Sequence, residues 1–166
     1  MASEWLPYRE SAVRRAGLEQ RAASALTGSG LPVNARRMFV RDSARELETR
    51  ELDGCGSAAF LGQYEDGVNT YWVSVRDGSV WMLFGYDDVP QRAARINTSV
   101  PALQALLTLW DEFIGSGVHE DDDAYEGLVE DVLRRARQAD PVMFDDEDSW
   151  WSRVFEEVEL GVLGPE

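Results

Sequence analysis

The chain has 166 residues, 44% hydrophobic and 28% charged, a balance that fits one compact globular domain and excludes a disordered chain. Its formal charge of −15 opposes nucleic acid and anionic membranes as partners. No apolar run approaches the roughly 20 residues that span a bilayer, and Glu4 and Pro7 stand where a signal peptide needs positive charge and then an apolar core, so a cytoplasmic protein is expected.

From Arg9 to about Thr27, Val13, Ala16, Ala22, Ala25 and Leu26 recur at helical spacing, and Gly28 and Gly30 supply stop signals. Met38, Phe39 and Val40 in RRMFVRD predict a buried strand, and RELDGCGS a short strand running into a glycine-rich bend. Cys55 in that bend is the only cysteine, which excludes an internal disulfide and a cysteine metal cluster. AAFLGQYEDG predicts a strand ended by a turn at Asp66-Gly67, and YDDVPQRAARINTS a loop with a short edge strand. Ser99 caps a predicted helix through VPALQALLTLWDEFIGSG, with Leu103, Leu106, Leu107, Trp110, Phe113 and Ile114 as its apolar stripe. HEDDD opens a second helix, AYEGLVEDVLRRARQA, with acids first and arginines last, the order a helix dipole favours. Asp148 or Ser149 caps a third helix, WWSRVFEEVELGVLG. Helix, antiparallel sheet, helices is an α+β layout.

The segment YWVSVRDGSVWMLF, Tyr71 to Phe84, is the most legible hairpin. A two-residue Asp77-Gly78 loop would pair Val75 with Val80, Val73 with Met82 and Tyr71 with Phe84 on one apolar face. The other face would pair Arg76 with Ser79, Ser74 with Trp81 and Trp72 with Leu83. Trp72 and Trp81 are then either covered by a helix, as large aromatics usually are, or part of an exposed patch that meets a partner.

Nothing in the chain assembles catalysis. His119 is the sole histidine and sits beside acids in a polar loop. The runs HEDDD and DDED (Asp145 to Asp148) lack the alternation and central glycine of a calcium loop and read as solvated helix N-termini. There is no phosphate-binding loop and no zinc spacing, so neither a cofactor nor an enzymatic role is expected. The charge is divided sharply. Met1 to Trp110 holds 12 basic and 13 acidic residues; Asp111 to Glu166 holds 4 basic and 18 acidic. All 16 basic residues are arginine. Arg36, Arg37, Arg41, Arg45 and Arg50 could form a basic strip, but pairing with Glu46, Glu48 and Glu51 is the preferred reading.

LTGSGLP, RRMFVRD, FLGQYEDG, the Tyr71–Phe84 hairpin and INTSVPALQALLTLWDEF, in that order, resemble the SUKH superfamily, specifically its fourth subfamily of bacterial immunity proteins. The likeness covers about Leu26 to Ile114 as the core, with residues 115–166 as an acidic helical extension of one domain. It implies a central, strongly bent antiparallel sheet flanked by helices. It also implies an antitoxin role: binding and neutralising a cognate polymorphic toxin, often a nuclease or nucleic-acid deaminase. The family offers no catalytic motif to carry over. Combined with the charge, this nominates Glu120, Asp121, Asp122, Asp123, Asp145, Asp146, Glu147 and Asp148, together with Trp72 and Trp81, as the surface that meets a basic protein toxin. A scaffold or regulatory binding module of the same fold is the alternative.

Overall fold

A computed structural model describes residues 2–85 and 92–166. A short strand β1 (Trp5–Leu6) precedes helices α1 (Glu10–Ala16) and α2 (Gln20–Thr27), and β2 (Leu31–Pro32) returns to pair with β1. Then come β3 (Asn34–Ala35), β4 (Phe39–Val40), β5 (Thr49–Leu52), β6 (Gly56–Gln63), β7 (Thr70–Ser74), β8 (Val80–Phe84) and β9 (Arg92–Asn97). Helices α3 (Val100–Ile114), α4 (Tyr125–Ala139), α5 (Pro141–Phe144) and α6 (Trp150–Glu159) complete the chain. The larger sheet runs β3-β4-β6-β7-β8-β9, all antiparallel, with β5 added along the first half of β6. The α+β reading and the curled sheet between helices hold. The loop expected over residues 86–91 lies outside the described residues.

The single helix expected from Arg9 to Thr27 is two. Gly17 adopts φ 74°, and its N–H donates to the Arg14 carbonyl at 3.1 Å, closing α1. Glu19 then opens α2, its carboxylate accepting from the Ala22 and Arg21 amides. At Gly30, also left-handed at φ 70°, a Cβ would run into the Leu6 carbonyl, so β1 and β2 close up only because this residue is glycine.

The central hairpin forms, two residues out of the expected register. Val73 pairs with Val80, Trp72 with Trp81, Tyr71 with Met82 and Thr70 with Leu83. The loop spans residues 75–78, closed by the Ser74 amide donating to the Ser79 carbonyl at 2.8 Å. Val75 is drawn out of the ladder by its neighbours: its N–H donates to Ser57 at 3.0 Å, and its carbonyl accepts from Glu19 at 3.2 Å. Because side chains alternate with period two, a two-residue shift leaves every residue on its expected face. Tyr71, Val73, Val80 and Met82 are fully buried against the helices, joined by Ile96. The expected stripe of α3 is buried from Leu103 to Ile114 in the same cluster, which extends through Val132 and Ala136 of α4 to Trp151, Phe155 and Val158 of α6.

No helix contributes to the core on the opposite face. Leu52 at the end of β5 and Cys55 in the turn after it pack with Ala58, Phe60, Trp72 and Leu83 in a second, smaller core, while Thr49, Arg50 and Glu51 of β5 stay exposed. Trp72 is 1% exposed, meets Phe60 edge to face at 5.4 Å, and donates its indole N–H to Thr70 Oγ1 at 2.7 Å. Trp81 at the rim is half-buried beside Gly54 and bonded to Ser79 Oγ at 2.9 Å.

One buried polar junction fixes the last third of the chain. The Asp140 carboxylate, 1% exposed, accepts from Asn97 Nδ2 at 3.0 Å, the Thr98 amide at 2.9 Å and the Thr98 hydroxyl at 2.9 Å. Asn97 Oδ1 in turn accepts the Trp151 indole N–H at 2.9 Å.

Two stability predictions follow from these packings. Asp140→Ala leaves the Asn97 Nδ2 and Thr98 amide donors without their acceptor and should destabilise the protein by about 2–4 kcal/mol; an unchanged urea midpoint would remove Asp140 as a structural tie. Trp72→Ala should cost about 3–5 kcal/mol and Trp81→Ala about 1–2 kcal/mol, and denaturant titration showing equal losses would contradict the covered-face geometry.

Candidate binding surface

Glu120, Asp121, Asp122 and Asp123 lie in the loop between α3 and α4, and all four are exposed. They stand before α4 rather than in its first turn, which holds only Glu126, and the N-cap, Ala124, has no side-chain cap bond. Asp122 closes the loop on itself: its carboxylate accepts the His119 amide at 2.7 Å, and its own amide donates back to the His119 carbonyl at 2.9 Å. The other three carboxylates are left to face solvent.

Asp145, Asp146, Glu147 and Asp148 are exposed as well, between α5 and α6. Ser149 is the cap of α6, accepting from the Ser152 amide at 3.2 Å, while Asp146 Oδ1 accepts the Asp148 amide at 2.9 Å. Asp148 pairs with Arg153 at 2.7 Å, an exposed contact that contributes little to stability. Among the described residues, no three of His, Cys, Asp and Glu converge to hold a metal ion.

The two acidic runs occupy opposite ends of α6. Asp145 to Asp148 lead into its first turn, whereas Glu120 lies beside Gly161, just past its end. At 1.5 Å per residue, the helix between them is roughly 15 Å long. Glu156 and Glu159, three apart on one face of the helix, are exposed between them, and Glu157 is exposed about 100° further round. These three were not singled out by sequence reasoning, although EEVE inside WWSRVFEEVELG alternates with the buried Val154, Phe155 and Val158 at helical spacing.

The tryptophans do not join this surface. Trp72 is inside the second core, and Trp81 is on the face of the sheet away from the helices that bear the acids. Cys55, packed with Trp72, has its thiol pKa pushed up by burial, opposing reactivity. The expected arginine pairings are partly met: Arg41 pairs with Glu46 at 2.6 Å and Arg45 with Glu48 at 3.6 Å. Arg36 and Arg37 instead reach Asp111, Glu65 and Glu166, and Arg50 lies over the Trp72 ring. The basic residues of this stretch are thus drawn into the protein's own contacts, while the acids of α6 and its flanking loops stay exposed.

Among the described residues, no helix is long and apolar enough to cross a membrane. No curated protein and no solved structure shows significant similarity to the chain. A family model does: the one described as SUKH-4 immunity protein matches residues 3–157, running past the Leu26–Ile114 likeness at both ends and taking in the acidic helices. By its sequence, and with a curled antiparallel sheet set between helices, the chain belongs to the SUKH-4 immunity protein family.

Proposed function

We propose that the chain neutralises a cognate toxin that acts on nucleic acid, by binding it and covering its active site with the acidic end built from α4, α6 and their loops. The observation that carries this reading is that Glu120 to Asp123 and Asp145 to Asp148, at the two ends of α6, and Glu156 and Glu159 on it are all exposed. An enzyme that handles a polyanion needs a basic cleft, and a rigid acidic surface competes for that cleft by the same electrostatics. Occlusion asks for complementarity alone, with no reaction at the inhibitor, so the protein acts as a binder and not as an enzyme. The net charge of −14 after Trp110 also draws a cationic partner in from a distance, which raises the association rate more than the final affinity. The cytoplasm, where such a toxin would meet its substrate, is where the protein acts.

Co-expression with the toxin encoded beside its gene should restore growth, and the two proteins should co-purify. A toxin proven active that kills in the presence of the chain, with no complex recovered, would overturn the reading. Reversing Asp121 and Asp123 to Arg leaves the loop-closing Asp122 intact and should slow association about tenfold while flattening its salt dependence. An unchanged on-rate and salt slope would show that this loop does not steer.

A further inference from the structure

A groove of about 600 Å³ runs between α4 and the α5–α6 segment. Its lining is mostly polar, and what apolar surface its floor has comes from Leu133 and Phe144, half-buried beside the buried ring of Phe155, 5.9 Å from that of Phe144. Its walls carry Glu147, Asp148, Glu156 and Glu159 against two cations, Arg137 and Arg153. Asp148 already holds Arg153, so the remaining carboxylates face a single arginine.

Carboxylate walls attract any cation; the floor decides which. An ammonium keeps its hydration shell and gains little from an aromatic ring at such a site. A guanidinium is planar and weakly hydrated, stacks on a ring face, and offers a fork of donors that fits a carboxylate. Acid walls over an aromatic floor therefore select arginine over lysine.

We propose that this groove seats an arginine-bearing segment of the protein partner, the guanidinium lying over Phe144 and pairing with the carboxylates of α6. The assignment rests on the reading that the chain binds a basic protein, and narrows it to one recognition element.

The test uses the full chain with fluorescent nona-arginine and nona-lysine peptides, followed by anisotropy and by amide chemical shifts. Nona-arginine should bind at least about fivefold tighter than nona-lysine, with shifts centred on α4 and α6. Glu156→Gln with Glu159→Gln should weaken nona-arginine about tenfold, and Phe144→Leu, which preserves an apolar floor, should erase the preference between peptides. Thermal melting confirms that each variant folds. Equal affinity for both peptides, shifts spread evenly over the acidic loops, or no loss in the double variant would overturn the proposal. With the toxin itself, full rescue and unchanged affinity when Glu156→Gln, Glu159→Gln and Phe144→Leu are combined would also sink the groove while leaving neutralisation standing. Failure of the neutralisation reading shows differently, since the unaltered chain then holds no toxin whatever the peptides do.

Discussion

The attachment of the acidic helices to the sheet depends on a buried carboxylate. Asp140 stands between α4 and α5, and the groups that satisfy it, from Asn97 and Thr98, lie at the end of the edge strand β9. A carboxylate taken out of water costs several kcal/mol unless it is fully hydrogen-bonded, so the junction tolerates only one placement of α5 and of the helices on either side of it. Through Asn97 the same network fixes Trp151, which starts the buried row of α6. The constraint matters because this part of the chain repels itself. Apolar contact by Trp151, Phe155 and Val158 supplies attraction, and the junction supplies direction.

This division separates scaffold from surface. The sheet and α3 carry most of the large buried side chains, whereas the outward positions of α4 and α6 carry charges that touch little else. Substitutions at such exposed helical positions typically change stability by less than about 0.5 kcal/mol. The hairpin tip follows the opposite logic: Asp77 is held below the usual carboxylate range by the Ser79 hydroxyl and amide, stabilising the loop at neutral pH and losing that contribution as acid protonates it.

What was legible in the sequence was whatever local chemistry decides. The stripe of α3, the Ser99 and Ser149 caps and the two faces of the hairpin all follow from periodicity and from a hydroxyl in the right place. What was not legible depended on distant partners. No pattern near Asp77-Gly78 announces that Ser57 and Glu19 will recruit the backbone of Val75 and lengthen the loop. Strands of two residues, such as β1 and β2, are too short to show alternation. The burial of Trp72 joins Leu52 and Cys55 to residues of β6 and β8, a meeting that TREL alone does not announce. The Gly17 break was readable, since glycine followed two residues later by a capping Glu19 is a stop and a start, but the apolar spacing on either side runs continuously across it. For the surface, the acidic loops stand out as runs, while Glu156, Glu157 and Glu159 are diluted by the buried residues of α6 between and beside them.

The second core has a further consequence. Its six buried residues form a compartment separated by the sheet from the main cluster, and β5 adds to β6 alone. The free energy needed to lift so small a unit is a fraction of that needed to open the helix-covered side. Amides of β5 are therefore expected to exchange with solvent through local opening, at lower cost than those of the strands that face α3.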